Sequence, residues 1–131
     1  MATVYVDTSA LARVLTREPD GAAVLEHLSD FDRQISSRLL RVELRRVAFR
    51  QGVGEAAEEL LSDIALVPLD DAVLAEAEAV PPRNVATLDA IHLATALRLV
   101  AGGDLDALMT YDAQLAAGAE HHGIRVIAPA G

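Results

Sequence analysis

Thr3-Val4-Tyr5-Val6-Asp7-Thr8-Ser9-Ala10-Leu11 passes from a β-branched and aromatic run into a helix-forming one, with an aspartate at the joint. The first four residues read as a buried strand, and Ser9 to Thr16 as the helix that follows. The same alternation runs along the chain. After the break at Glu18-Pro19-Asp20-Gly21, the pattern predicts a helix at Ala22–Ser29, a strand at Gln34–Ser37, and helices at Arg38–Gln51 and Glu55–Ser62. Ala65–Leu69 reads as a strand, and Asp70 as the cap of a helix running to about Val80, before Pro81-Pro82. Thr87 is expected to cap a long buried helix, Leu88–Val100, closed by Gly102-Gly103. Strand Ala107–Thr110, helix Ala113–Ala119 and strand Ile124–Ile127 complete the pattern, with a loose tail after Ala128. Strands separated by helices predict an α/β fold whose mostly parallel sheet carries helices on both faces.

The bulk composition agrees. A chain of 131 residues, 52% apolar and 24% charged, suits one domain with a packed core. Cysteine is absent, which excludes disulfides, thiolate metal sites and cysteine nucleophiles, and fits a reducing cytoplasm. No signal-peptide pattern precedes Asp7, and the apolar run Ile91–Leu97 is too short to span a bilayer, so a soluble cytoplasmic protein is expected. The net charge of −9 speaks against a nucleic-acid coating protein. It leaves room for an enzyme on RNA whose acids hold a cation, because the ion reverses the local sign.

In an open parallel sheet, ligands bind at the carboxyl ends of strands, near the switch in strand order. Asp7 follows the first strand, and Asp112 comes two residues after the strand ending at Thr110. Asp89 lies in the first turn of the long helix. Taken singly, each has an ordinary structural reading: Asp7 and Asp112 as helix caps, Asp89 as a complement to the helix dipole. Glu43 is harder to explain that way. At a hundred degrees per residue it lies between Leu39, Leu40 and Val47, on the apolar face of its helix. Arg38, Arg41 and Arg45 project from the opposite face, and only Arg46 and Arg50 point near it. A carboxylate on a core-facing stripe is costly unless paired or coordinated, so the alternatives are a Glu–Arg pair and a metal site. Carboxylates gathered from distant parts of a chain suit Mg²⁺ or Mn²⁺. Such ions activate water and stabilise the leaving oxygen of a phosphodiester.

These segments resemble those of PIN-domain proteins. Val4-Tyr5-Val6-Asp7-Thr8-Ser9-Ala10-Leu11 is similar to the family's opening, with an Asp and a hydroxyl two positions on. Arg41-Val42-Glu43-Leu44 resembles its helical Glu, Leu88-Asp89-Ala90-Ile91-His92-Leu93-Ala94-Thr95-Ala96 its most recognisable segment, and Met109-Thr110-Tyr111-Asp112 its last acidic motif. The length most resembles the VapC toxins of toxin–antitoxin pairs. The resemblance implies a PIN-like three-layer α/β/α sandwich forming a single domain over residues 1–131. It implies a Mg²⁺- or Mn²⁺-dependent endoribonuclease acting through a metal-activated water and leaving 5′-phosphate and 3′-hydroxyl ends. Transfer or ribosomal RNA would be the substrate, and the protein would form a homodimer restrained by a VapB-type antitoxin. Asp7, Glu43, Asp89 and Asp112 would be the catalytic and metal-binding acids, with Ser9 and Thr110 as supporting hydroxyls.

The remaining candidates have mixed readings. His92 sits one turn after Asp89, so one reading is an Asp–His metal pair; the other, which the family pattern favours by keeping it outside the metal set, is a packing or hydrogen-bonding residue. His121-His122 reads as a solvated turn, and Tyr111 as packing or a stacking surface for a base. The Arg-rich run from Arg33 to Arg50 is either a solvated face or a basic patch for phosphates or an acidic partner. Rival chemistries meet specific obstacles. All eleven basic residues are Arg, so the lysine of a phosphoaspartate receiver and the Gly-Lys pair of a P-loop are both missing. Ser9 stands where an aspartyl phosphatase would carry its second Asp. The alternative from another class is a catalytically silent PIN-fold interaction protein, which would be expected to have lost at least one acid.

Overall fold

The structure, a computed structural model, describes residues 1–131. Its strands are β1 (Thr3–Val6), β2 (Arg33–Ser37), β3 (Ala65–Val67), β4 (Ala107–Met109) and β5 (Val126–Ile127). They form one sheet in the order β3-β2-β1-β4-β5, and every pairing is parallel. The helices are α1 (Thr8–Leu15), α2 (Gly21–Leu28), α3 (Arg38–Gln51), α4 (Gly54–Ser62), α5 (Asp71–Ala77), α6 (Thr87–Ala101) and α7 (Ala113–His121).

Side-chain alternation along the central strands builds two cores. Val4 and Val6 of β1, with Ala107 and Met109 of β4, face the core formed with α1 to α4. Tyr5 and Leu108 point the other way, into a smaller core with α6 and α7. This is the expected α/β/α sandwich, with a wholly parallel sheet. All four residues of β1 are buried, as parallel strands covered on both faces must be.

Local signals fix most element ends. Asp7, Ser37, Asp70 and Asp112 each cap the helix they precede with a side-chain oxygen. Gly52 ends α3 at φ 70°, a left-handed conformation that costs glycine little. Two expectations need correcting. Thr87 is not a cap but the first residue of α6; Ala86 precedes it, has no capping side chain, and donates its N–H to Gln114 Oε1 at 3.1 Å. The tail after Ala128 is not loose at Pro129, which is buried and whose carbonyl accepts a hydrogen bond from the Tyr111 hydroxyl. β3, β5 and α5 are also shorter than the sequence pattern predicts. No helix is long and apolar enough to cross a membrane.

Candidate active site

The strand order reverses between β1, from which the chain steps to β2 and β3, and β4 on its other side. Asp7 and Asp112 follow the carboxyl ends of these two strands, at the switch point. A pair of hydroxyls ties them together. Ser9 Oγ and Thr110 Oγ1 donate to Asp7 Oδ2 at 2.7 and 2.8 Å. Ser9 Oγ accepts from the Tyr111 N–H at 2.8 Å, and Thr110 Oγ1 from the Asp112 N–H at 2.9 Å. Asp7 is 4% exposed, so such bonds are what make its burial tolerable. One oxygen of each acid is thus committed, Asp7 Oδ2 to the hydroxyls and Asp112 Oδ1 to the Leu115 N–H at 3.0 Å. The capping and the functional readings therefore coexist: each cap uses a single oxygen.

Glu43 reaches the site from α3. It is half-buried, and its Oε1 accepts from Thr8 Oγ1 at 2.6 Å and pairs with His92 Nε2 at 2.7 Å. The Glu–Arg alternative is not what forms. Arg46 and Arg50 make no ion pair with it, and Arg41 and Arg45 turn away to Glu58 at 2.6 and 3.4 Å. His92, 1% exposed, also lies 3.5 Å from Asp7 Oδ1, while its Nδ1 meets the Tyr5 hydroxyl at 2.6 Å. Tyr5, Thr8 and His92 are residues whose contacts here the motifs do not announce. Only His92 leaves a trace in the sequence, as a polar ring on a buried helix that needs partners.

Asp89 lies in the first turn of α6, as expected. Its carboxyl is pushed up to about 7, by burial first and then by the Asp112 carboxylate, with Asp7 adding to the repulsion. Burial pushes the Glu43 carboxyl up as well, but the hydrogen bonds from His92 and Thr8 outweigh it and hold Glu43 below its ordinary value. The four acids therefore share one electrostatic field: Asp89 feels Asp112 and Asp7, and Glu43 feels Asp112. They are not equally close. Donor atoms of Asp7, Glu43 and His92 lie within 4.8 Å of one another, whereas Asp89 and Asp112 fall outside that trio. No arginine pairs with any of the four. An all-carboxylate cluster with one acid already resisting ionisation has the donor chemistry for a hard divalent cation.

Other candidates lie away from this cluster or are engaged elsewhere. Arg13 stacks over the Tyr111 ring at 3.9 Å from its centroid, and Pro129 takes the hydroxyl, so Tyr111 is packing rather than a free stacking surface. His122 Nε2 hydrogen-bonds the Pro81 carbonyl at 2.6 Å. The largest cavity, about 690 Å³, opens beside α1, α2 and α4 among Leu11, Val14, Leu25, Val53 and Leu60; none of the four acids lines it.

Known proteins are similar to this chain over most of its length. The PIN domain family model matches residues 4–102. Over 131 residues the chain is 39% identical to ribonuclease VapC46 of Mycobacterium tuberculosis (strain H37Rv), covering 98% of this chain and 99% of that one. It is 36% identical to ribonuclease VapC47 of strain CDC 1551 of the same species, with 96% of each chain covered. It is likewise 36% identical to ribonuclease VapC35, over 96% of each. With its sandwich, its switch-point acids and kinship over nearly its full length, the chain belongs to the PIN-domain family, in the VapC branch.

Proposed function

We propose that this single-domain protein is the toxin of a type II toxin–antitoxin pair, an endoribonuclease dependent on Mg²⁺ or Mn²⁺ and working in the cytoplasm. The observation that carries the reading is the convergence of Asp7, Glu43, Asp89 and Asp112 from separate elements, with no arginine to neutralise them. These four acids would hold the cation, directly or through water. What a divalent cation supplies when bound is Lewis acidity toward phosphate and water.

The chain's own residues set the rest. Ser9 and Thr110 saturate Asp7 Oδ2, while Oδ1 lies 3.5 Å from His92 Nε2. Thr8 and His92 do the same for Glu43, engaging Oε1 and leaving Oε2. A carboxylate of the cluster, Asp7 or Asp89, would take the proton from the attacking water. Ser9 is a poor nucleophile here, since its oxygen already accepts from the Tyr111 N–H and no imidazole serves it. Hydrolysis by water, with an in-line departure of the 3′ oxygen, is the chemistry that fits.

The VapC relatives support RNA as the substrate, transfer or ribosomal RNA being the first candidates, and a VapB-type antitoxin as the partner. The apolar cavity beside α1, α2 and α4 offers a seat for a protein segment. A homodimer is the assembly proposed for the chain.

The test is cleavage of a pool of transfer and ribosomal RNA by purified protein freed of partner, with Mg²⁺, Mn²⁺ or EDTA. Discrete cleavage that needs metal and vanishes in Asp7→Asn and Asp89→Asn is the expected result. Folded protein that neither cleaves nor binds metal would replace this reading with a silent PIN-fold interaction protein.

A further inference from the structure

We propose that Tyr5 and His92 form a buried positioning relay that fixes Glu43 for the cation, with His92 acting as a hydrogen-bond donor and not as a ligand. The inference rests on the metal-dependent reading above and deepens it, for His92 sits within ligand distance of two acids and invites the opposite assignment.

Hydrogen placement decides between the two. His92 Nε2 faces Glu43 Oε1 at 2.7 Å and Asp7 Oδ1 at 3.5 Å, both carboxylate oxygens that only accept. Nε2 therefore carries a hydrogen in this arrangement, whether the ring holds one proton or two, and would have to give it up, losing its bond to Glu43, before it could bind a metal. In the singly protonated ring Nδ1 is then the acceptor, and the Tyr5 hydroxyl donates into it at 2.6 Å. Tyr5 is completely buried in the middle of β1, and the ring of His92 meets it edge-on with centroids 5.8 Å apart. The relay thus starts from the buried central strand of the sheet and ends on an acid that α3 presents at a half-buried position.

Its effect is geometric. Glu43 has a long flexible side chain, 23% exposed, which would otherwise sample several rotamers. Two donors, Thr8 Oγ1 and His92 Nε2, lock Oε1 and leave Oε2 without a hydrogen bond. Partners of this kind, one shell out from the cation, typically change metal affinity by roughly 10- to 100-fold when removed.

The experiment is a calorimetric Mn²⁺ titration of the full chain, with melting temperatures recorded alongside. His92→Leu is expected to weaken Mn²⁺ binding by roughly 10- to 100-fold. His92→Gln, whose amide nitrogen stands as many bonds from the backbone as Nε2, should recover most of that loss. Tyr5→Phe, which removes only a hydroxyl, should weaken binding by a smaller factor and keeps the test alive if His92→Leu does not fold. Pulsed electron spin resonance of Mn²⁺ in the wild-type protein should show no directly coordinated nitrogen. A coordinated imidazole nitrogen, wild-type affinity in His92→Leu, or a His92→Gln as weak as His92→Leu would overturn the relay alone. A wild-type protein that binds no Mn²⁺ would instead overturn the metal-dependent reading on which it rests.

Discussion

Replacing Asp89 by Asn should stabilise the metal-free protein while abolishing its activity. The Asp89 carboxyl, pushed from 3.8 to about 7, is held in a place that favours its protonated form. Below 3.8 it is neutral both folded and unfolded, so it contributes no pH dependence. Between 3.8 and about 7 the unfolded chain loses the proton and the folded chain keeps it, so stability falls as pH rises. Above 7 the full penalty applies. At about 1.4 kcal/mol for each tenfold change in proton affinity, the ceiling is roughly 4 kcal/mol. Asp89 is only part-buried, and solvent screening should reduce this to about 1–2 kcal/mol. For a domain of this size that corresponds to a gain of about 5 °C in melting temperature. The assay is thermal unfolding of wild type and Asp89→Asn in EDTA, at about pH 8 and about pH 3.5. The gain should be present at the higher pH and nearly absent at the lower. Asp112→Asn, which keeps a good cap residue for α7, should recover part of the same gain. No gain in Asp89→Asn at the higher pH would refute the claim that the carboxylates strain one another.

Saturating Mg²⁺ or Mn²⁺ should raise the melting temperature of the wild type but not of Asp89→Asn, with a stabilisation of about 2.7 kcal/mol at a hundredfold excess over the dissociation constant. The effect should shrink as pH falls below about 7, because Asp89 must release its proton before it can hold a cation, and proton uptake by calorimetry would contradict this. Ser9→Ala removes the hydroxyl linking Asp7 to the Tyr111 N–H and should cost about 1–3 kcal/mol by chemical denaturation, together with most of the cleavage rate. Tyr111→Phe should cost about 1 kcal/mol of stability and leave the rate nearly intact, since the ring is engaged by Arg13 and its hydroxyl by the tail. Arg46→Ala and Arg50→Ala, on the helix that carries Glu43, should each weaken RNA binding and reduce its salt dependence by about one phosphate contact; an unchanged salt slope would make that face a bystander.

Much of the fold is legible in the sequence, and the reason is physical. Strand and helix are local outcomes: the buried run Thr3–Val6, the caps at Asp7 and Asp70, and the glycine that ends α3 all act within a few residues. Asp7 and Asp112 were placed correctly because a parallel sheet collects its strands' carboxyl ends on one edge, whatever the side chains elsewhere. Thr87 failed as a cap because the start of α6 is served from α7, through Gln114, and a distant donor or acceptor leaves no mark on the local sequence. The tail misled for the same reason, since what holds Pro129 is the hydroxyl of Tyr111 in another part of the chain.

By itself, then, the sequence determined the layers of the sandwich, the order of the acids and the absence of lysine and cysteine chemistry, because periodicity, capping and composition are properties of the chain read in order. Only the tertiary structure decided which oxygens of Asp7, Glu43 and Asp112 are engaged. That Glu43 pairs with His92 rather than with Arg46 or Arg50 depends on how α3 and α6 meet across the end of β1, bringing together residues 49 apart. Hydrogen-bond partners at that separation are set by packing, and packing is a property of the whole fold.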